Sequence, residues 1–480
     1  MKLKVQHCVF LWALGFLAFI RLPGMKIEDN DVWWHLKTGQ LISQTHSIPT
    51  HDVFSYTTLG QPWMAHEWLS ELLFYKCYAA MGMSGVILLE AILVSLMLIG
   101  IYALVRRRLK LTPLVLGVTM LCAEGTVVFW SPRPQLFTYA CLIGLLLLLD
   151  KLADKKSLWL AVPLFFLWSN FHGEWLIGLV IMGVILADYS VSAIREGRIA
   201  DVRRYAAVWI SSLAVIALGP GHLERLLYPL QYLTGAIPVR IISEYTTPDF
   251  HDTYYIPYLL IIIFIPVILY LGRKPLRPSQ WVLMVGLMGA SLYSLKHVPI
   301  FIIVMAPILA TQVASAFDRY EEKNGAVVWS FVPESTPLNW VSLILLVFLI
   351  FLAFPRATDE AYYVRPKTFP TQACRYLMNN PVVGRGKLLN TYNWGGYLIY
   401  KLYPKYLVSV DARTDVHFKH EVEDVKNLDW FSDKWKQQIA RRNPDVIVWP
   451  SGLPLAIILN QDPDWHRVYH DPVADIFVRR

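Results

Sequence analysis

Charge is what this sequence has least of. Only 17% of its 480 residues are charged, against 55% hydrophobic, too little polar surface to cover a soluble chain of this length. A cysteine framework is missing as well. Cys8, Cys77, Cys122, Cys141 and Cys374 are scattered and odd in number, and four of them lie in or beside apolar runs. That pattern argues against both a disulfide scaffold and a cysteine zinc site. There is no internal repeat, no low-complexity tract and no N-x-S/T sequon, the last pointing toward a prokaryotic source. Gly395 and Gly396 stand in no phosphate-loop context.

What fills the chain instead is a series of apolar runs, several long enough to cross a bilayer. The first, Val5 to Leu22, follows "MKLK" and is not trailed by a small-residue cleavage site, so it is expected to stay as an anchor. The formal charge of +8 is distributed in short clusters between runs: "RRRLK", "DKLADKK", "REGRIADVRR" and "GRKPLR". These are orientation signals rather than a nucleic-acid surface.

With the clusters on the cytoplasmic side, spans are expected at 5–22, 84–105, 113–130, 136–149, 206–218, 258–271, 281–295, 299–314 and 340–354. The segment Leu158 to Tyr189 is too long for one span and basic at both ends, so a helical hairpin breaking at "SNFHGEW" is expected. The total is roughly eleven helices by hydropathy and charge, with the N-terminus cytoplasmic. Residues 1–354 are expected to form the transmembrane domain, including a long outer loop, 24–83, with interfacial helices. Residues 355–480 turn polar and are expected to form an extracytoplasmic α/β domain. There "KYLVSVDART" and "PDVIVWP" read as buried strands and "HRVYHDPVADIFVRR" as a closing hairpin.

Ionisable groups near membrane boundaries are costly and tend to be functional. Here they gather at the outer face. Asp29, Asp31 and His35 lie in "EDNDVWWHLKTGQLI", and His66 and Glu67 in "QPWMAHEWLSELLF". Arg133 and Gln135 occupy a turn, His172 and Glu174 the hairpin tip, Lys296 and His297 a span end, and Glu244 an outer segment. Plainer roles stand beside these: Asp31 as a helix cap, Trp33 and Trp34 as interface anchors, Arg133 as a residue snorkelling to headgroups.

The stretch "DVWWHL" after the first span resembles the D-x-W-Y-H-type motif of oligosaccharyltransferase catalytic subunits, members of the type-C (GT-C) glycosyltransferase superfamily. The whole chain is similar to a group of bacterial membrane proteins related to that superfamily. The resemblance is carried by "DNDVWWHLKTGQLI", "IPTHDVFSYTTLGQPWMAHEWLSELLF", "RPQLFTY", "WSNFHGEWLIGL", "KHVPIFIIVMAPIL" and "NWGGYLIYKLYPKYLVSVDARTD". It implies a GT-C-like polytopic helical fold in the plasma (inner) membrane. The implied activity is inverting, hexosyltransferase-like transfer from a polyprenyl-phosphate-linked sugar to a glycan, lipid or protein acceptor at the outer face. Asp31 matches the loop-one carboxylate that engages the acceptor or a divalent cation (Mg or Mn), and Asp29 is a second carboxylate beside it. Two departures count against protein-asparagine glycosylation and metal dependence: "WSPRPQLF" carries no acid, and a WWDYG-type motif is absent.

The residues suit this chemistry. An exposed carboxylate can deprotonate an acceptor hydroxyl, and Arg133, Lys296, His172 and His297 can hold a phosphate. These groups are expected to converge on one outward chamber. A transporter or flippase of lipid-linked intermediates would use the same charges without chemistry, and a non-catalytic assembly protein would use the acidic loop structurally.

Overall fold

The computed structural model describes residues 29–110, 112–152, 154, 156–233, 243–325, 341, 344, 364, 367–382, 386–417, 419–429 and 434–480. The chain divides into two compact units. One comprises the described parts of Ile87–His222 and Ile242–Arg356, the other those of Met25–Val86, Leu223–Ile241 and Ala357–Arg480.

The first unit is helical. Four helices among the described residues are long and apolar enough to cross a membrane: Met83–Arg106, Trp175–Arg195, Thr253–Gly272 and Leu295–Asn324. The number rises to five if the bent pair Ile199–Leu218 and His222–Pro229 is a single span. The expected eleven is therefore not confirmed. Val5–Leu22 falls outside the described residues, as does nearly all of Trp340–Phe354. Pro113–Phe129, Gln135–Leu149 and Ser157–Phe171 are apolar but shorter, and at about 1.5 Å per residue they reach only about 22–26 Å of a core roughly 30 Å thick. The expected break in the long segment is present: one helix ends at Phe171, the next starts at Trp175, and His172 between them is extended. Gly178 makes room there for the indole of Trp168, which is fully buried.

The second unit contains the outer-loop helices α1 (Asp31–Thr45) and α2 (Trp68–Met81), helix α3 (Gly395–Leu402) and a five-stranded sheet. The strands are β1 (Lys387–Asn390), β2 (Leu407–Val408), β3 (Val446–Pro450), β4 (Trp465–His470) and β5 (Ala474–Arg479), in the order β2-β1-β3-β5-β4. β1 runs parallel to β2 and β3, while β5 closes antiparallel on β3 and β4. Val446, Ile447, Val448 and Trp449 are all fully buried, as a strand covered on both faces requires. The expected strands and hairpin are present, and β1 is an additional one.

The outer loop docks onto this sheet. Ser55 bridges Val408, the Val408 amide donates to the Phe54 carbonyl at 3.1 Å, and Thr57 Oγ1 donates to the Ser409 carbonyl at 2.7 Å. A buried ionic knot holds the contact. Arg413, with a side chain of 0% exposure, donates through Nη2 to Asp411 Oδ2 at 2.7 Å and lies 2.9 Å from Asp52 Oδ1. Its guanidinium lies over the rings of Phe54 and Trp63, at 5.0 and 4.6 Å. Burial alone would push the Asp411 carboxyl up, but Arg413 and His417 reverse this and hold it far below the ordinary carboxylate range.

Two glycines set the helix packing. A Cβ on Gly39 of α1 would collide with the backbone carbonyl of Glu71 in α2, so only glycine lets these helices approach so closely. Gly395 is similarly confined by the backbone of Val410 and Asp411, and Gly396 by the carbonyl of Asn30. Trp33 is fully buried between Phe369, Tyr397 and Tyr400, and Trp34 is 8% exposed. Their expected role as interface anchors is thus replaced by packing onto α3.

Two outcomes test this architecture by thermal unfolding of the full chain. Gly39→Ala is expected to destabilise by about 1–3 kcal/mol, the usual cost of overpacking. Asp411→Asn is expected to cost about 3–5 kcal/mol at neutral pH by leaving Arg413 undercompensated. The folded pKa of Asp411 lies below its unfolded value, so its stabilisation is full above the ordinary carboxylate pKa of about 4 and is lost as pH falls through the depressed one. The gap between wild type and Asp411→Asn should accordingly narrow only in acid.

Candidate functional site

The expected site residues divide between the two units. Arg133, Gln135, His172, Glu174, Glu244, Lys296 and His297 belong to the helical unit, and Asp29, Asp31, His35, His66 and Glu67 to the other.

In the helical unit the break after Phe171 puts His172 and Glu174 side by side, with His172 Nδ1 3.5 Å from Glu174 Oε2. His172 is positioned by Thr138 Oγ1 at 2.9 Å, and the same hydroxyl accepts the indole N–H of Trp168 at 2.9 Å. Lys296 Nζ lies 3.3 Å from Glu174 Oε1 and donates to the Tyr245 hydroxyl at 2.8 Å, with the ammonium also over the Tyr245 ring. Burial would raise the Glu174 carboxyl, but the fields of Lys296, His172 and His297 override it and hold it below its usual range. Arg133 is paired with Glu244 rather than left to reach headgroups alone. Gln135 opens the helix Gln135–Leu149. The side chains of Lys296, Arg133 and His172 remain 19%, 21% and 14% exposed.

In the other unit, helix α1 starts at Asp31, not after it. The capping role expected of Asp31 falls to Asp29, whose Oδ1 accepts the Asp31 amide at 2.8 Å, while Asp31 Oδ1 accepts the Trp34 indole at 3.5 Å. One turn along α1, His35 is 3% exposed and faces two glutamates. Its Nδ1 is 3.2 Å from Glu71 Oε1 and its Nε2 3.8 Å from Glu67 Oε2. His66 Nε2 lies 3.6 Å from Glu67 Oε1, and its ring packs on Tyr228. Burial, reinforced by the Glu67 charge, pushes the Glu71 carboxyl well above its usual range. Donor atoms of His35, Glu67 and Glu71 all lie within 4.8 Å of one another, a set that could hold a metal ion, and neither Asp29 nor Asp31 belongs to it.

Glu71 and Tyr245 were not anticipated. Glu71 carried a usable signal, being four residues after Glu67 on one helical face and acidic within an otherwise apolar run. Tyr245 carried none, because its partner Lys296 is remote in sequence.

The fold is shared with solved structures of an archaeal oligosaccharyltransferase and of ArnT. No family model matches the chain, and no curated protein matches it. Among solved structures it resembles the oligosaccharyltransferase of Archaeoglobus fulgidus tethered with an acceptor peptide, at a TM-score of 0.62 and 12% identity, over 92% of this chain and 69% of that one. It also resembles ArnT from Cupriavidus metallidurans bound to undecaprenyl phosphate, at a TM-score of 0.52 and 10% identity, over 98% and 97% of the two chains. A third likeness is to the archaeal oligosaccharyltransferase in complex with an inhibitory peptide and a dolichol-phosphate, at 0.51 and 11%, over 92% and 69%.

The Glu174 carboxylate is expected to fix Lys296 in place. Glu174→Gln should leave the Lys296 ammonium without its carboxylate and lower the stability of the purified protein by about 1–3 kcal/mol, the usual cost of an unanswered charged hydrogen-bond partner, as read by thermal unfolding.

Proposed function

We propose that the chain is a glycosyltransferase that moves a sugar from a polyprenyl-phosphate-linked donor to an acceptor hydroxyl at the outer face of the membrane. One observation carries the reading: Lys296 and His172, both partly exposed, flank an ionised Glu174 at a helix break, in a fold shared with proteins whose structures hold undecaprenyl phosphate or dolichol-phosphate.

The division of labour follows from the side chains. Lys296 and Arg133 neutralise the donor phosphate, with His172 and His297 as further donors. Asp31 takes the proton of the acceptor hydroxyl as its oxygen bonds to the anomeric carbon. The bond from that carbon to the phosphate oxygen breaks with its electron pair, and the lipid phosphate leaves as an anion beside the cations. A single displacement inverts the anomeric centre. Asp29 supports Asp31 by accepting its amide hydrogen. The divalent cation expected at Asp29 and Asp31 would supply charge neutralisation there, and no step above runs through it.

In proteoliposomes supplied with a radiolabelled polyprenyl-phosphate sugar, Asp31→Asn should lower transfer by about 10²–10⁴-fold, the range for losing a general base, with donor binding unchanged. Lys296→Met should instead weaken donor binding. Transfer by Asp31→Asn at the wild-type rate would sink the reading.

A further inference from the structure

We infer that His35, Glu67 and Glu71 form a buried site for one divalent cation of the zinc class, clamping α1 to α2. The site is separate from the proposed catalytic carboxylate, since Asp31 and Asp29 are not among its ligands.

Three observations converge on it. The donor set is one imidazole and two carboxylates, from residues of which His35 and Glu71 are 3% and 1% exposed. Ligands of a tetrahedral zinc, about 2.0–2.1 Å from the metal, are about 3.3 Å apart. His35 Nδ1 and Glu71 Oε1 are already 3.2 Å apart, and all three donors fall within 4.8 Å. Glu67 Oε2 now faces the other ring nitrogen, Nε2, at 3.8 Å, so closing the set on Nδ1 requires the partly exposed Glu67 carboxylate to swing to that side.

Second, Glu71 Oε2 is a buried oxygen with no hydrogen-bond partner. An unpaired buried acceptor is costly, and a cation bound by both oxygens of that carboxylate removes the cost.

Third, the surroundings are acidic. Glu67 and Asp415 both act electrostatically on Glu71, and the nearby cation Arg413 is committed to Asp411 and Asp52. Taken with the buried carboxylates, this leaves a demand for positive charge that a divalent ion satisfies.

The backbone is arranged to match. Gly39, one turn after His35 on the same helical face, brings α1 against the Glu71 carbonyl. His35 and Glu71 are thereby held at ligand distance by helix packing rather than by loops. Imidazole with carboxylates selects zinc or manganese over magnesium, which prefers six oxygens and retains water.

The test uses tag-free full-length protein, stripped with chelator, dialysed against Zn²⁺, Mn²⁺ or Mg²⁺ alone, and measured for metal per chain by mass spectrometry. About one zinc per chain is expected, with none displaced by excess magnesium. Glu71→Gln and His35→Gln should weaken zinc binding by more than the 10–100-fold that loss of an outer partner costs. Glu67→Gln, at a partly exposed position, provides a variant less prone to misfolding. Asp31→Asn should bind zinc as wild type does even where sugar transfer is lost, so the two readings fail separately. Substoichiometric zinc on the wild type overturns the inference, and points to a shared proton instead. Zinc retained by both Glu71→Gln and Glu67→Gln, or lost from Asp31→Asn, overturns it equally.

Discussion

The buried guanidinium of Arg413 is the constraint on which the second unit depends. An arginine with no exposed side-chain surface must have its charge answered within the protein. Asp411 and Asp52 do this, one from the segment after β2 and the other from the outer loop. Asp52 also accepts the amides of Phe54 and Ser55 and the hydroxyl of Thr58, so the carboxylate that answers the charge also shapes the loop. Two parts of the chain far apart in sequence are joined because neither could bury its charge alone. From this knot the positions propagate: the backbone at Asp411 confines Gly395, and its neighbour Gly396 rests on the carbonyl of Asn30. Asp31 is the next residue along.

The two clusters differ in what answers their carboxylates. In the helical unit, Lys296 and Arg133 balance Glu174 and Glu244, and Glu174 stays ionised despite burial. In the other unit, Glu67, Glu71 and Asp415 crowd together and the Glu71 carboxyl is driven up. The first environment suits a phosphate, the second a cation. At 10–12% identity the likeness to oligosaccharyltransferase and ArnT establishes a fold, while activity resides in sites placed on it. That is why these two environments, more than the resemblance, set the terms of the functional proposal.

Much of the fold was legible in the sequence, where one physical rule acts alone. The break at His172–Glu174 followed from a segment too long for one span, and the strand Val446–Pro450 from an unbroken apolar run. What was not legible depends on contacts remote in sequence. β1 is a four-residue stretch, KLLN, too short to show a period. Trp33 reads as an interface tryptophan until Phe369, Tyr397 and Tyr400 are brought around it. The span count stays unconfirmed because several apolar runs are helical yet shorter than a bilayer needs, and two others lie outside the described residues or nearly so. In the candidate site, residue types and positions along the chain were readable, but the pairs were not. Arg133 with Glu244 and Lys296 with Tyr245 are products of helix packing, which no local pattern records.

Asp29 and Asp31 show how a local detail separates two similar residues. From sequence they are equivalent carboxylates beside a helix start. In the structure Asp29 Oδ1 accepts the backbone amide of Asp31 at 2.8 Å. Asp31 Oδ1 accepts the Trp34 indole N–H at 3.5 Å, at the edge of hydrogen-bond reach. The helix dipole favours negative charge at both positions, so it does not distinguish them. The bonding does: Asp29 fixes the turn by accepting the Asp31 amide, and Asp31 stands on the first residue of the helix itself.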